Sequence, residues 1–259
     1  MTAIQFSHAN GFSAKTYETF LAYFKPEYEI SYVDKFGHGE FQIDQNWEPM
    51  VRHLILDIEA KNIAPVIGMG HSLGGILTFL AAQRRPGLFS QIVIMDPPMF
   101  SVLKRRAIGL AQWLNVAHKA IPPAKKALRR RRQFESKEQA YEYLRNKRLF
   151  RNFDERCFQD YINYGIVESG GQFSLDFSAD IESRIFLTLP SRFSWKLEVP
   201  SYMIYSGKYE VLSPSEIRIL KRKLKKTQFI EVPNGGHMFP LELPELTSDT
   251  IIQALRSLS

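Results

Sequence analysis

A single cysteine, Cys157, stands in 259 residues. One thiol excludes an internal disulfide framework, and nothing else asks for an oxidising compartment, so a cytoplasmic address is expected. No apolar run approaches the roughly 18 residues that a membrane-crossing helix needs. Met1 to Ile4 leads at once into a strand pattern, so neither a transmembrane segment nor a signal peptide is expected. Internal repeats and low-complexity linkers are also missing, which sets aside solenoid and disordered architectures.

What is present belongs to an ordinary globular chain, with 44% hydrophobic and 24% charged residues. The aromatic content is high, with 19 Phe and 11 Tyr. Charge is distributed unevenly. From Ser101 to Glu155 there are 15 Lys and Arg against 5 acids, so that segment carries +10 of a chain whose net charge is +7. A basic segment inside a slightly acidic remainder marks an attached lobe rather than core.

The most informative stretch is Ala64 to Gly75, where an apolar run enters Gly70-His71-Ser72-Leu73-Gly74-Gly75 and resumes at helical spacing from Ile76 to Arg85. This reads as strand, sharp turn, helix. The chemistry explains the residue types: glycines on both sides permit a tight turn that lifts Ser72 clear of the sheet. The helix N-terminus that follows points N–H groups at a developing oxyanion. A capping serine would account for Ser72 but not for the flanking glycines.

Strand patterns recur near Ile4, Ile30, Val66, Val93, Ile204 and Ile230. Helical patterns fall at about 14–24, behind a proposed Asn46 cap through Ile58, from Ser213-Pro214-Ser215-Glu216 onward, and from about Pro244 to Leu258. Between Phe100 and about Lys196 the pattern changes to basic helices and a Phe-rich tract, read as one inserted lobe. Alternating strands and helices argue for a parallel sheet covered on both faces.

Four motifs, His8 to Phe12, Gly37-His38-Gly39, Gly70 to Gly74 and Gly235-Gly236-His237, each follow a strand. Together they resemble the α/β-hydrolase family, over nearly the whole chain outside the lobe. Many members carry a helical cap where this lobe is inserted. The resemblance implies a hydrolase core at 1–99 and 197–259 with a cap at 100–196. Members often begin with two antiparallel strands, for which the seven residues before His8 leave no room, so a six-stranded, wholly parallel sheet is expected.

His237 is the one histidine in the loop between the last strand and last helix, and it is the expected general base for Ser72. His53 and His118 fall in helical patterns and read as surface residues. By family position Glu210 is the expected acid of the triad, one methylene longer than the usual Asp; Asp96 is the alternative, against its reading as a turn residue before Pro97. The resemblance places the oxyanion hole at the backbone N–H groups of Leu73 and Phe12, with Asn10 as the alternative to Phe12.

Serine at the elbow, rather than aspartate, points away from the dehalogenase and epoxide-hydrolase branches. The expected activity is hydrolysis of a carboxylic ester or thioester through an acyl-enzyme, needing no metal or cofactor. Acyl transfer, or cleavage of an acyl-carrier or coenzyme A thioester, would use the same residues, and a non-catalytic ligand-binding scaffold is the contrasting class. The basic cap suits an acidic acyl carrier. Arg129 to Arg132, with no aromatic interleaved, reads as a solvated helical face rather than a nucleic-acid site.

Overall fold

The computed structural model describes residues 2–44, 46–61, 63–114, 122–191 and 194–257. The chain runs through β1 (Thr2–Ser7), a 3-10 turn (Ala14–Tyr17), α1 (Glu18–Ala22), β2 (Tyr28–Tyr32), α2 (Glu48–Lys61), β3 (Val66–His71), α3 (Leu73–Arg84) and β4 (Phe89–Met95). Beyond β4 come α4 (Val102–Trp113), α5 (Pro122–Arg129), β5 (Gln133–Phe134), α6 (Lys137–Arg145), α7 (Glu155–Gly165), β6 (Ile166–Ser169), β7 (Gln172–Leu175) and α8 (Ala179–Leu187). The alternation then resumes with β8 (Ser201–Ser206), α9 (Pro214–Lys223), β9 (Thr227–Val232), α10 (Phe239–Glu242) and α11 (Pro244–Arg256).

The expected six-stranded sheet is present, in the order β2-β1-β3-β4-β8-β9 with every pairing parallel. Its central strands are buried along most of their length because both faces are covered. On β4, Ile92 and Ile94 join the α2 and α3 side with Met50, Leu54 and Leu77; Val93 and Met95 join the α1 and α11 side with Phe20, Leu21 and Ile251. Strand order reverses between β1 and β3, which opens a crevice at their carboxyl ends, the usual place for a ligand site in such sheets.

The insertion between β4 and β8 is mainly helical, and it also holds a three-stranded antiparallel sheet, β5-β7-β6, absent from the sequence reading. Gly170 and Gly171, both at positive φ, turn the β6–β7 hairpin. Each of these strands is only two to four residues long, too short for a periodicity to show. Phe134, Phe150 and Phe158 from the insertion pack into the same core as β1 and α1.

Two helix starts illustrate local chemistry. Ser213 and Glu216 form a reciprocated capping box on α9, as the sequence indicates. At α2 the expected Asn46 cap is replaced: Asp44 Oδ1 accepts the N–H groups of Asn46 and Glu48 at 3.0 and 3.1 Å, and the helix begins at Glu48. Asp44 stands farther back because Trp47 takes a left-handed φ of 60°.

His8, after β1, is fully buried and structural. Its Nδ1–H donates to the Ala9 carbonyl at 2.9 Å and its Nε2 accepts the Phe36 N–H at 2.9 Å, so the ring must be neutral. Burial pushes its pKa from 6.5 down to about 4. Below pH 6.5 the unfolded chain takes up a proton that the folded chain refuses, so stability present above pH 6.5 is lost as pH falls toward 4. The linkage amounts to about 3 kcal/mol. Urea midpoints measured from pH 7 to 4 should fall in the wild type, with a shallower slope in His8→Gln; parallel slopes would contradict this assignment. His71, His38 and His53, also shifted down by burial, contribute in the same direction.

Candidate active site

Ser72 lies alone between the end of β3 and the start of α3, with φ 54° and ψ −111°. This is strained backbone for a residue with a side chain, costing about 1–3 kcal/mol. Close packing enforces it. A Cβ at Gly70 would stand 2.2 Å from the Gly74 carbonyl oxygen, and one at Gly74 would stand 2.0 Å from that of Ser7. Two bonds hold the turn to neighbouring strands: Ser72 N–H donates to Met95 O at 2.8 Å and Gly74 N–H to His8 O at 3.1 Å.

The loop after β9 brings His237 to this turn. His237 Nε2 lies 3.0 Å from Ser72 Oγ, and on the other side of the ring Nδ1 lies 2.7 Å from Asp96 Oδ2. With Nδ1–H donating to the carboxylate, Nε2 is left as an acceptor for the serine hydroxyl. Asp96 follows β4 with a left-handed φ of 41°; its side chain is 1% exposed and that of His237 22%. Asp96 Oδ1 also faces the Ser206 N–H at 3.4 Å. The arrangement has the order and distances of a nucleophile, base and orienting acid.

Glu210 is not the group on the ring. Its Oε2 accepts the backbone N–H of His237 at 2.7 Å, while its Oε1 lies 3.8 Å from the exposed Arg148. The reason is strand order. β4 pairs directly with β3, so the residue just past β4 stands beside the elbow. Glu210 comes off β8, one strand farther out, on a turn stitched to the β9 loop by Lys208 N–H to Gly235 O at 3.1 Å.

The His237 loop has further supports that sequence reasoning missed. Glu242 Oε2 accepts the Gly236 N–H at 2.8 Å. His71, buried beside the elbow, donates from Nε2 to the His237 carbonyl at 2.9 Å and accepts the Tyr17 hydroxyl on Nδ1 at 2.7 Å. Burial raises the Glu242 carboxyl above its ordinary range, and the Glu210 charge adds to that. Neither a sequence spacing nor a motif marks Glu242 or Tyr17.

Of the expected oxyanion donors, the Leu73 N–H has no acceptor among the described residues, which leaves it free for an incoming oxygen. The Phe12 N–H donates to the Ala9 carbonyl at 3.3 Å, a long bond closing the loop after β1. That loop is backed by the insertion: Asn10 Nδ2 donates to the Glu182 carbonyl at 3.0 Å, and the Glu182 carboxylate packs on Gly11, where φ is +83°. Glu182 is paired with Arg130 at 2.6 Å; burial raises its pKa and the guanidinium opposes that rise.

Phe12, Phe150, Phe153 and Tyr161 form one aromatic cluster next to this loop. Trp113, in contrast, is 80% exposed. His53 is half-buried, stacked on Phe41, rather than a surface residue. His118 lies outside the described residues. Among the described residues no group of three or more His, Cys, Asp or Glu is placed to hold a metal, and no helix is long and apolar enough to cross a membrane.

Comparison with known proteins decides the family: the model of the Alpha/beta hydrolase family matches residues 6–250. The chain belongs to the alpha/beta hydrolase family. It is 25% identical over 229 residues to the sn-1-specific diacylglycerol lipase ABHD11 of Mus musculus, covering 86% of this chain and 70% of that one. The fold of this alpha/beta hydrolase superimposes on E-2-(acetamidomethylene)succinate hydrolase with TM-score 0.78 at 16% identity, covering 97% and 90% of the two chains. It also superimposes on the thioesterase domain from the curacin biosynthetic pathway with TM-score 0.72 at 15% identity, covering 97% and 91%.

Proposed function

We propose that this alpha/beta hydrolase is a serine hydrolase that cleaves a carboxylic ester or thioester through an acyl-enzyme, with residues 100–196 as its cap. Ser72 attacks the carbonyl, His237 takes the hydroxyl proton and returns it to the leaving group, and Asp96 fixes the ring tautomer and stabilises the imidazolium. The oxyanion is received by the Leu73 N–H and by a donor of the His8 to Phe12 loop, with Phe12 exchanging its long bond to Ala9 for the substrate oxygen. Water then releases the acid.

The observation that carries this reading is the unbroken contact from Ser72 Oγ to His237 Nε2 and from Nδ1 to Asp96. A lipase and a thioesterase among its likenesses agree with an acyl-oxygen or acyl-sulfur substrate. The test is covalent labelling. An organophosphonate ester should add one phosphonyl group to Ser72, located by mass spectrometry of the peptide, and none to Ser72→Ala. A folded wild-type protein that stays unlabelled would point to a ligand-binding scaffold instead.

The basic cap bears on the leaving group. Lys125, Lys126, Arg129, Arg131 and Arg132 are exposed or half-exposed, and a cationic face steers an acidic acyl carrier by long-range attraction. Raising salt from roughly 10 mM to roughly 150 mM shortens that attraction to about 8 Å. kcat/KM for a carrier-linked thioester should then fall several-fold, with a small neutral ester almost unaffected. Equal salt dependence of the two substrates would remove the carrier from the proposal.

A further inference from the structure

Two carboxylates in the site have no place in the triad, yet both end on backbone N–H groups of the loop that carries the base, one on His237 itself and one on the residue before it. Glu210 reaches the His237 N–H and Glu242 the Gly236 N–H, at 2.7 and 2.8 Å. The His237 carbonyl is taken by His71. Gly235 is fixed as well, its carbonyl accepting from Lys208 N–H at 3.1 Å and Ser206 Oγ at 2.8 Å.

We infer that Glu210 and Glu242 are positioning residues that clamp the Gly236–His237 peptide, so that the imidazole enters each turnover already aligned between Ser72 and Asp96. This rests on the serine-hydrolase reading and extends it to the loop that carries the base. Gly236 records how tightly the clamp closes. A Cβ there would lie 2.7 and 2.9 Å from the two Glu242 carboxylate oxygens and 3.0 Å from Glu210 Oε2, so both carboxylates converge on Gly236, where no side chain keeps them away.

A loop between a strand and a short helix has freedom that Asp96 alone does not remove, because one bond to Nδ1 lets the ring swing about it. Three charged or polar grips on successive peptide groups remove that freedom before substrate arrives. The two carboxylate grips, at 2.7 and 2.8 Å, fix both the distance and the direction of the N–H groups they receive. A displacement of about 1 Å in a reacting group costs on the order of 100-fold in rate. The clamp acts through oxygen acceptors, so an amide oxygen should serve nearly as well as a carboxylate.

The experiment compares Glu210→Ala, Glu210→Gln, Glu242→Ala and Glu242→Gln in the full chain, with kcat and KM for a small neutral ester, the rate of organophosphonate addition to Ser72, and amide hydrogen exchange of the peptide covering 235–238. The Ala variants should lose about 10- to 100-fold in kcat and in labelling rate, at nearly constant KM, with faster exchange confined to that peptide. The Gln variants should stay within about threefold of wild type, a rescue that a need for negative charge would not allow. Glu210→Ala with unchanged kcat overturns the clamp, as does Glu210→Gln falling as far as Glu210→Ala. If an Ala variant does not fold, the Gln variants and the exchange measurement decide. Wild-type protein that neither turns over nor labels sinks the hydrolase reading and this one with it; active wild type with indifferent Ala variants sinks this one alone.

Discussion

Ser72→Ala is expected to reduce kcat by about 10⁵- to 10⁶-fold, because Ser72 Oγ, the atom that His237 Nε2 addresses, is the oxygen that would form the acyl bond. Its hydroxyl is held at the mouth of the β1/β3 crevice by a backbone that no other residue of the turn shares, and His237 Nε2 addresses it at 3.0 Å. Removing Oγ leaves the Leu73 N–H, the loop after β1 and the insertion untouched. Residual acceleration of about 10³- to 10⁴-fold over water should therefore survive, with substrate affinity close to that of wild type. The alanine variant should fold, since its methyl group replaces a half-buried hydroxymethyl. Steady-state rates with a chromogenic ester, corrected for contaminating wild type by phosphonate titration, would measure the loss. A variant that kept even a tenth of the wild-type kcat would contradict covalent catalysis at this residue.

Asp96→Asn should lower kcat by about 10⁴-fold, the size seen when an amide replaces the acid of a comparable triad and the imidazole settles in the wrong tautomer. The argument is geometric. Asp96 is buried beneath the ring, its Oδ2 accepts from Nδ1, and its Oδ1 faces the Ser206 N–H. An asparagine keeps the shape, but its NH₂ group either opposes Nδ1–H or forces the ring to carry its proton on Nε2, where it can no longer accept from Ser72. Volume and fold are preserved, so KM and thermal stability should change little. The comparison with Glu210→Gln is decisive: the larger loss must belong to Asp96. Were Glu210→Gln the more damaging substitution, the acid of the triad would be Glu210, in the turn after β8, and the assignment to Asp96 would fall.

Much of the architecture was legible because it rests on local constraints. Apolar runs near Val66 and Val93 must be buried on both faces, and alternation with helices then leaves few arrangements other than a parallel sheet. Gly70 and Gly74 announced a backbone approach that no side chain permits. The hairpin strands of the insertion escaped notice because they are short and partly exposed, and the Asn46 cap failed because Trp47 takes an unusual φ that only its burial beneath the insertion, with its indole N–H on the Ile185 carbonyl, makes worthwhile.

The sequence by itself determined the strand-turn-helix around Ser72, the parallel sheet, and the arrival of a histidine after the last strand, since each follows from sterics and hydrophobic spacing within a few residues. Only the tertiary structure decided between Asp96 and Glu210. Both are acids in the turn that follows a strand, and nothing in their local pattern separates them. Strand order does: β4 lies next to β3 and delivers its carboxylate to the side of the ring facing away from Ser72, while β8 lies one strand farther out and delivers its carboxylate to the peptide that carries the ring.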